Sequence, residues 1–544
     1  MRHGNEEPMK KAHLSVIIAA VMIFSLIPGG CSDAAQSPSE PFRLLVCTEN
    51  RDMEDVIRYF CKDNNISIQI EYKNIFETIE TLNSENCPFD GVWLSDSGWL
   101  NMVSGPNRIT NVKSVSINPL VYAVKKSKAL KLGLTAKKVS TADVINKINS
   151  GDLIFLLPAQ PHSDSGISVY LSFFYAAAQN PALLTSRYFK DEKILADMRK
   201  TLACTERIQV SDENLTEAFL SGSYDAAAGY EFEFIAINKR LTEEGKEPLQ
   251  LIYPSDGVFL CDSPFAHIDK GDSGKSETFF LLQNFLLSET MQKEMAQSGR
   301  RTGYGGQNPY ASESVFSPAW GIDMKAPLPQ LSFPPADTLS QFALLLNTRL
   351  RKPSVTILLF DTSMDTKEDA EDLNSAVKYM LNYRNGDNDH IQFYNHDIIY
   401  FIAFGKHDFE PLSAKGTGLD VLLERLDLVT PLFYSTLRNR VTSDLYTALF
   451  LSFEILKEYS SREYSFSVVL FTDEERFADK YPDRSKELAE KFSGLPNDTE
   501  LFIITVAGTD TRIYDPIINA ANGRLTYAKT GTASIFREIR RYTE

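Results

Sequence analysis

Histidine is scarce in this 544-residue sequence, with seven in all. His-Glu-x-x-His, Gly-x-Ser-x-Gly and Walker-type segments are all missing, so zinc hydrolysis, triad-type acyl transfer and nucleotide hydrolysis lack their parts. Paired carboxylates remain, as they do in any acidic protein, but nothing marks a particular pair, and a non-catalytic protein is expected. No Cys-x-x-Cys occurs and no cysteine follows Cys261. No basic stripe offsets the formal net charge of -16, so phosphate backbones are repelled and a nucleic-acid partner is excluded. After the first thirty residues no apolar run approaches the roughly 20 residues a membrane-crossing helix needs. What is present has globular proportions, 43% hydrophobic and 24% charged. A chain of this length suggests about two to four domains.

The N-terminus reads as an export signal. Lys10-Lys11 precedes the apolar run Leu14–Ile27, a basic start followed by a short hydrophobic stretch. Glu6 and Glu7 are unusual in such a start, and either Met1 or Met9 serves as initiator. Pro28-Gly29-Gly30-Cys31 then leads into a polar segment. It resembles the lipobox of bacterial lipoproteins, with Pro28 where Leu is usual. The resemblance implies lipidation of Cys31, which becomes the mature N-terminus. The protein is then held by lipid on the extracytoplasmic face of the membrane. The other five cysteines are read as small core residues first and disulfide partners second, with pairing left open.

Beyond a tether at 32–41, residues 42–310 alternate short apolar strands with helix-patterned stretches, which predicts an α/β domain. A Gly-, Pro- and Ser-rich shift at 305–341 marks a boundary, so 311–352 is expected to be a linker followed by a helix over 336–350. A second α/β pattern fills 353–544.

Within that second pattern, Val355–Asp361 is a continuous apolar run ending in an acid, as buried parallel strands do. Asp361-Thr362-Ser363-Met364-Asp365 follows at its carboxyl end, where open α/β sheets place ligands. A similar run ends in Phe471-Thr472-Asp473, and Val441-Thr442-Ser443-Asp444 opens a helix between the two. Hard oxygen ligands of this kind suit magnesium, calcium or manganese. The region resembles the von Willebrand factor A family with its metal-ion-dependent adhesion site, on a doubly wound Rossmann-like fold. The resemblance implies that Asp361, Ser363, Ser443 (or Thr442) and Asp473 hold a divalent ion, magnesium first, which a protein partner's carboxylate completes. Asp365 stands where the family has Ser. It either adds a third carboxylate or marks a site that no longer binds.

In the first region, Phe89–Asp96, Asn118–Val124, Ser163-Asp164-Ser165-Gly166 and Tyr230-Glu231 resemble segments of bacterial extracytoplasmic solute-binding proteins. That resemblance implies a two-lobed periplasmic-binding-protein-like domain. Ser95, Ser97, Ser165 and Tyr230 would face a small ligand between the lobes, with loop NH and OH groups offered to an anion or sugar. Two binding functions are expected in competition. One is an adhesion or assembly lipoprotein that grips a protein partner through its metal site. The other is a solute receptor of an ABC-type transport system.

Overall fold

The computed structural model describes residues 40–135, 138–158, 164–208, 212–350, 353–363, 367–381, 393, 396–405, 411–416, 418–429, 445–460, 463–473, 484–495, 499–506, 511–521 and 523–528. The chain forms two compact units that divide between Gln341 and Phe342.

Among the described residues the first unit contains two sheets. One has the order β2-β1-β3-β11-β4, built from β1 (Phe42–Cys47), β2 (Ile68–Lys73), β3 (Gly91–Trp93), β4 (Arg108–Ser114) and β11 (Pro264–Asp269). The other has the order β10-β5-β8-β6-β7, with β9 also paired to β5. Its strands are β5 (Asn118–Lys125), β6 (Phe155–Pro158), β7 (Thr205–Ile208), β8 (Ala226–Tyr230), β9 (Leu249–Ile252) and β10 (Leu260–Cys261). β1 runs parallel to both its neighbours and is buried except at Arg43. An unbroken apolar run is what a strand covered on both faces requires.

The chain passes between the sheets from β4 to β5, from β10 to β11, and again near Arg301. There Ile117 and Arg301 exchange backbone hydrogen bonds of 2.6 and 3.2 Å. The third passage is pinned by a buried ion pair. Arg301 Nε and Nη2 donate to Glu231 Oε2 and Oε1 at 2.6 and 2.7 Å, Nη1 donates to the Gly306 carbonyl at 2.8 Å, and Tyr253 OH donates to Glu231 Oε1.

The Pro-rich stretch departs from expectation. Val315, Phe316, Trp320 and Ile322 pack into the core of the second sheet beside Val121, Ala227 and Phe234. Val258 exchanges backbone hydrogen bonds with Pro329 and Leu331, and Tyr175 OH donates to the Ser332 carbonyl at 2.6 Å. Phe333 meets Trp99 and Phe259 edge-on. The stretch 311–335, expected as linker, is thus a strap of the first unit. Its prolines interrupt secondary structure, while the apolar side chains between them supply burial. The expected helix over 336–350 is observed as Ala336–Leu345 followed by a π-helical turn at Leu346–Leu350.

The second unit has one sheet among the described residues, in the order β14-β13-β12-β15-β16-β17. The strands are β12 (Ser354–Asp361), β13 (Ile398–Phe404), β14 (Leu412–Lys415), β15 (Ser465–Phe471), β16 (Thr499–Thr505) and β17 (Arg524–Tyr527). All neighbouring strands run parallel except β14 against β13. Counted along this unit the order is third-second-first-fourth-fifth-sixth, that of a doubly wound sheet. Alternate residues of β12 serve opposite faces. Leu358 and Phe360 pack with Leu373 and Leu422, whereas Val355, Ile357 and Leu359 pack with Leu449, Leu488 and Ile517.

Among the described residues the cysteines are unpaired. Cys47, Cys61, Cys87 and Cys261 are buried, and Cys204 is exposed. No helix among those residues is long and apolar enough to cross a membrane.

Candidate functional site

In the first unit, the ends of β1, β3 and β8 and the start of the Asp164–Ala177 helix deliver polar groups to one buried cluster. After β1 the chain turns at Thr48 and brings Glu49 to that helix. Asp164 N donates to Glu49 Oε1 at 2.5 Å, and Ser165 N approaches the same oxygen at 3.4 Å. In return, Asp164 Oδ1 accepts from the amide of Ile75 at 3.0 Å, at the start of the Ile75–Asn83 helix. Each carboxylate therefore caps a helix belonging to the other half of the unit. Exposed amides and the helix dipole favour negative charge there.

Electrostatics bind the remaining members together. Burial, then the charge of Asp164, pushes Glu49 well above the usual carboxylate range. Asp164 is raised as well, by burial, against the opposing effect of its hydrogen-bonding neighbours. Tyr230 is raised by burial and then by Cys261, Glu49 and Asp164. Burial and then the charge of Asp262 push Asp96 up to about 7. Two close carboxylates withdrawn from water cannot both ionise easily.

Three buried polar atoms in this cluster make no hydrogen bond of ordinary geometry: Ser95 Oγ, Asp164 Oδ2 and Tyr230 OH. Ser95 and the Cys47 thiol lie close enough to influence the Asp164 carboxylate, and the Cys261 thiol to influence Tyr230, without closing such a bond. Buried polar groups normally find partners, and leaving one bare costs about 1–3 kcal/mol. Behind Glu49, Arg300 stacks 3.7 Å from the centre of the Phe232 ring and donates through Nη2 to the Glu49 carbonyl and to Asp52 Oδ1.

Of the sequence-derived ligand residues, Ser95, Ser165 and Tyr230 meet around Glu49 and Asp164. Ser97 joins this neighbourhood through its backbone, donating its amide to Asp262 Oδ1 at 2.7 Å. Glu49, Asp164, Asp96 and Cys261 were not singled out. The available signal was position, because Glu49 follows the first buried strand just as Ser95 follows β3.

In the second unit, Asp361 ends β12 and is 1% exposed. Its Oδ1 accepts from the amide and hydroxyl of Ser363 at 2.7 and 2.5 Å, and its Oδ2 accepts from Thr472 Oγ1 at 2.6 Å. Gly405, at φ 101°, passes so close that a Cβ there would lie 2.9 Å from Asp361 Oδ1. Asp473 follows Thr472, and the buried Tyr514 feels the charges of both Asp361 and Asp473. Asp361, Ser363 and Asp473 thus gather at the carboxyl edge of adjacent β12 and β15. The sheet changes winding direction between those strands, where open α/β sheets bind ligands. Asp365, Ser443 and Cys31 lie outside the described residues. Among the described residues no three His, Cys, Asp or Glu side chains form a set able to hold a metal.

No curated protein matches the chain. Among solved structures, a putative extracellular solute-binding protein from Bordetella parapertussis is 12% identical, with a TM-score of 0.40, covering 56% of this chain and 97% of that one. A periplasmic binding protein from Actinobacillus pleuropneumoniae, solved with exogenous fructose-6-phosphate bound, is 15% identical, with a TM-score of 0.40 and coverage of 56% and 96%. An ABC transporter solute-binding protein from Thermotoga lettingae, bound with alpha-D-tagatose, is 13% identical, with a TM-score of 0.42 and coverage of 57% and 94%. Residues 46–301 match the family described as bacterial extracellular solute-binding protein.

Proposed function

We propose that the chain is an exported, non-catalytic receptor for a small polar solute, bound where the ends of β1, β3 and β8 meet the start of the Asp164–Ala177 helix. The observation that carries this reading is the trio of buried, unpartnered atoms: Ser95 Oγ, Asp164 Oδ2 and Tyr230 OH. A ligand bearing donors and acceptors satisfies all three at once. Thermal-shift measurements on the mature chain against sugars, oxyanions and amines test it. One chemical class should raise the melting temperature in a saturable way, and a flat response across all three classes refutes a receptor role.

The C-terminal unit supports a second reading, in which a von Willebrand factor A-like module grips a protein partner through a divalent ion. It is favoured by the doubly wound order of its sheet and by Asp361, Ser363 and Asp473 at the point where the winding reverses. All three offer hard oxygens, which fits magnesium, calcium or manganese. Asp365 and Ser443 would complete the set. Lipidation at Cys31 would hold both units at the outer face of the membrane. Calorimetric titration of the full chain with magnesium should show uptake that Asp361→Ala abolishes. Absence of uptake from magnesium, calcium and manganese alike would leave the module purely structural.

A further inference from the structure

A helix N-terminus in a binding site ordinarily serves an anion, because its free amides and dipole both favour negative charge. At the start of the Asp164–Ala177 helix that position is already taken. Glu49 Oε1 sits 2.5 Å from the Asp164 amide, and its second oxygen accepts from Thr48 Oγ1 at 3.1 Å. An incoming oxyanion would have to expel a tethered carboxylate and then lie against Asp164, whose Oδ2 is buried and unpartnered.

The charge balance points the same way. Glu49, Asp164 and Asp96 form no ion pair with Lys or Arg among the described residues. Arg300, whose Nη2 reaches the Glu49 carbonyl, is paired with Asp52 at 2.8 Å and stacked on Phe232, with its buried Nε and Nη1 unpartnered, and Arg301 is paired with Glu231 at 2.6 Å. Glu233 adds a further negative charge near Glu49, while its Oε2 accepts from the Tyr230 amide. The remaining neighbours, Cys47, Tyr230 and Cys261, are neutral when protonated. Glu49 and Asp164 therefore form no ion pair with a cation among the described residues, and the Ser95 and Tyr230 hydroxyls lie beside them.

We infer, resting on the receptor reading above, that the solute is an organic cation, a primary ammonium or guanidinium compound, with Glu49 and Asp164 as its counter-charges. Its N–H groups donate to Asp164 Oδ2 and Glu49, while Tyr230 and Ser95 serve its other polar atoms. No set of three carboxylate, thiol or imidazole ligands exists among the described residues, which favours a cation with N–H donors over a metal ion. The site also makes binding proton-linked. Burial and mutual repulsion leave Glu49 and Asp164 holding a proton more tightly than ordinary carboxyls, and an entering cation favours its release. Affinity should then rise with pH across the range in which the pair ionises.

The test is calorimetry on the full mature chain with putrescine and agmatine as cation probes, sulfate as anion probe and glucose as neutral probe. At least one amine should bind saturably, sulfate should not, and the binding heat should vary with buffer ionisation enthalpy, reporting proton release. Glu49→Gln and Asp164→Asn keep the capping acceptors but remove charge. Each should weaken amine binding tenfold or more and reduce the buffer dependence. Urea unfolding followed by tryptophan fluorescence confirms that both variants fold. Sulfate binding, amine binding indifferent to both substitutions, or no response to either amine overturns the inference. Binding of glucose alone also overturns it, while leaving the receptor reading intact.

Discussion

Replacing Glu231 tests what holds the third passage between the two sheets. Glu231 and Arg301 are 0% and 2% exposed at their side chains and are joined by two short hydrogen bonds. Such a pair contributes little compared with apolar residues of similar volume. Removing one partner strands a buried charge, at about 3–5 kcal/mol. Glu231→Gln keeps the volume and one carbonyl acceptor, and Arg301 Nη1 keeps the Gly306 carbonyl, so the loss should fall near 3 kcal/mol. Glu231→Leu should reach the upper end. By the scaling for domains of roughly this size, 3 kcal/mol lowers the melting temperature by about 6–12 °C. The assay is favourable because Trp93, Trp99 and Trp320 are the only tryptophans, and all three lie in the first unit. Tryptophan fluorescence against urea thus follows that unit within the full chain, at unchanged slope if only stability moves. The double variant Glu231→Leu/Arg301→Met removes both charges and should recover most of the loss. A loss below about 1 kcal/mol in the single variants would refute the argument from buried charge. A double variant as unstable as Glu231→Leu would show that geometry, and not charge, pins the passage.

Three further outcomes follow from the first unit. Phe333→Ala removes a half-buried ring that meets both Trp99 and Phe259, so the same urea assay should show a loss of about 1–3 kcal/mol, below that of a fully buried ring. Gly321→Ala should destabilise by at least 1 kcal/mol, because Gly321 has φ 87° and a Cβ there would lie 2.6 Å from the Leu251 carbonyl oxygen. Asp96 is held at about 7 by burial, against roughly 3.9 when unfolded. Its protonation therefore favours the fold below about pH 4, and that contribution drains away as pH rises to about 7. Asp96→Asn, neutral throughout, should flatten this slope and make the variant the more stable protein above pH 7, by up to roughly 4 kcal/mol. An unchanged slope in urea titrations from pH 4 to 8 would exclude Asp96 as its source.

The apolar runs carried most of the legible architecture. β5, β8, β12 and β15, and β1 from Leu44 onward, are largely apolar and buried because both faces are covered, and their polar ends mark where groups gather. Ser95, Ser165 and Tyr230 meet for that reason, as do Asp361, Ser363 and Asp473. Glu49 was illegible because its partner amide at Asp164 is 115 residues away, and a lone acid in a loop reads as a solvated turn. The strap is hard to read from sequence because its prolines break any helical or strand period, while the apolar residues between them still supply burial. Val315, Phe316, Trp320, Ile322 and Leu331 have no helical or strand period, yet each is buried, and Phe333 is half-buried against two aromatic rings. Cys204 faces solvent although it shares its residue type with four buried cysteines, and nothing in its local pattern separates it from them.

The strap also sets a schedule for synthesis. Domains fold largely as they emerge, at about 5–20 residues per second. Tyr175 waits 157 residues for the Ser332 carbonyl that accepts its hydroxyl, and Trp99 and Phe259 keep an uncovered aromatic edge until Phe333 arrives. A nascent chain stopped just beyond residue 301, where the family match ends, holds both sheets and yet shows sticky rings to anything that passes. The first unit is therefore finished late, by a segment that looks dispensable, and chaperone contact during that interval should centre on the surface that Phe333 eventually covers.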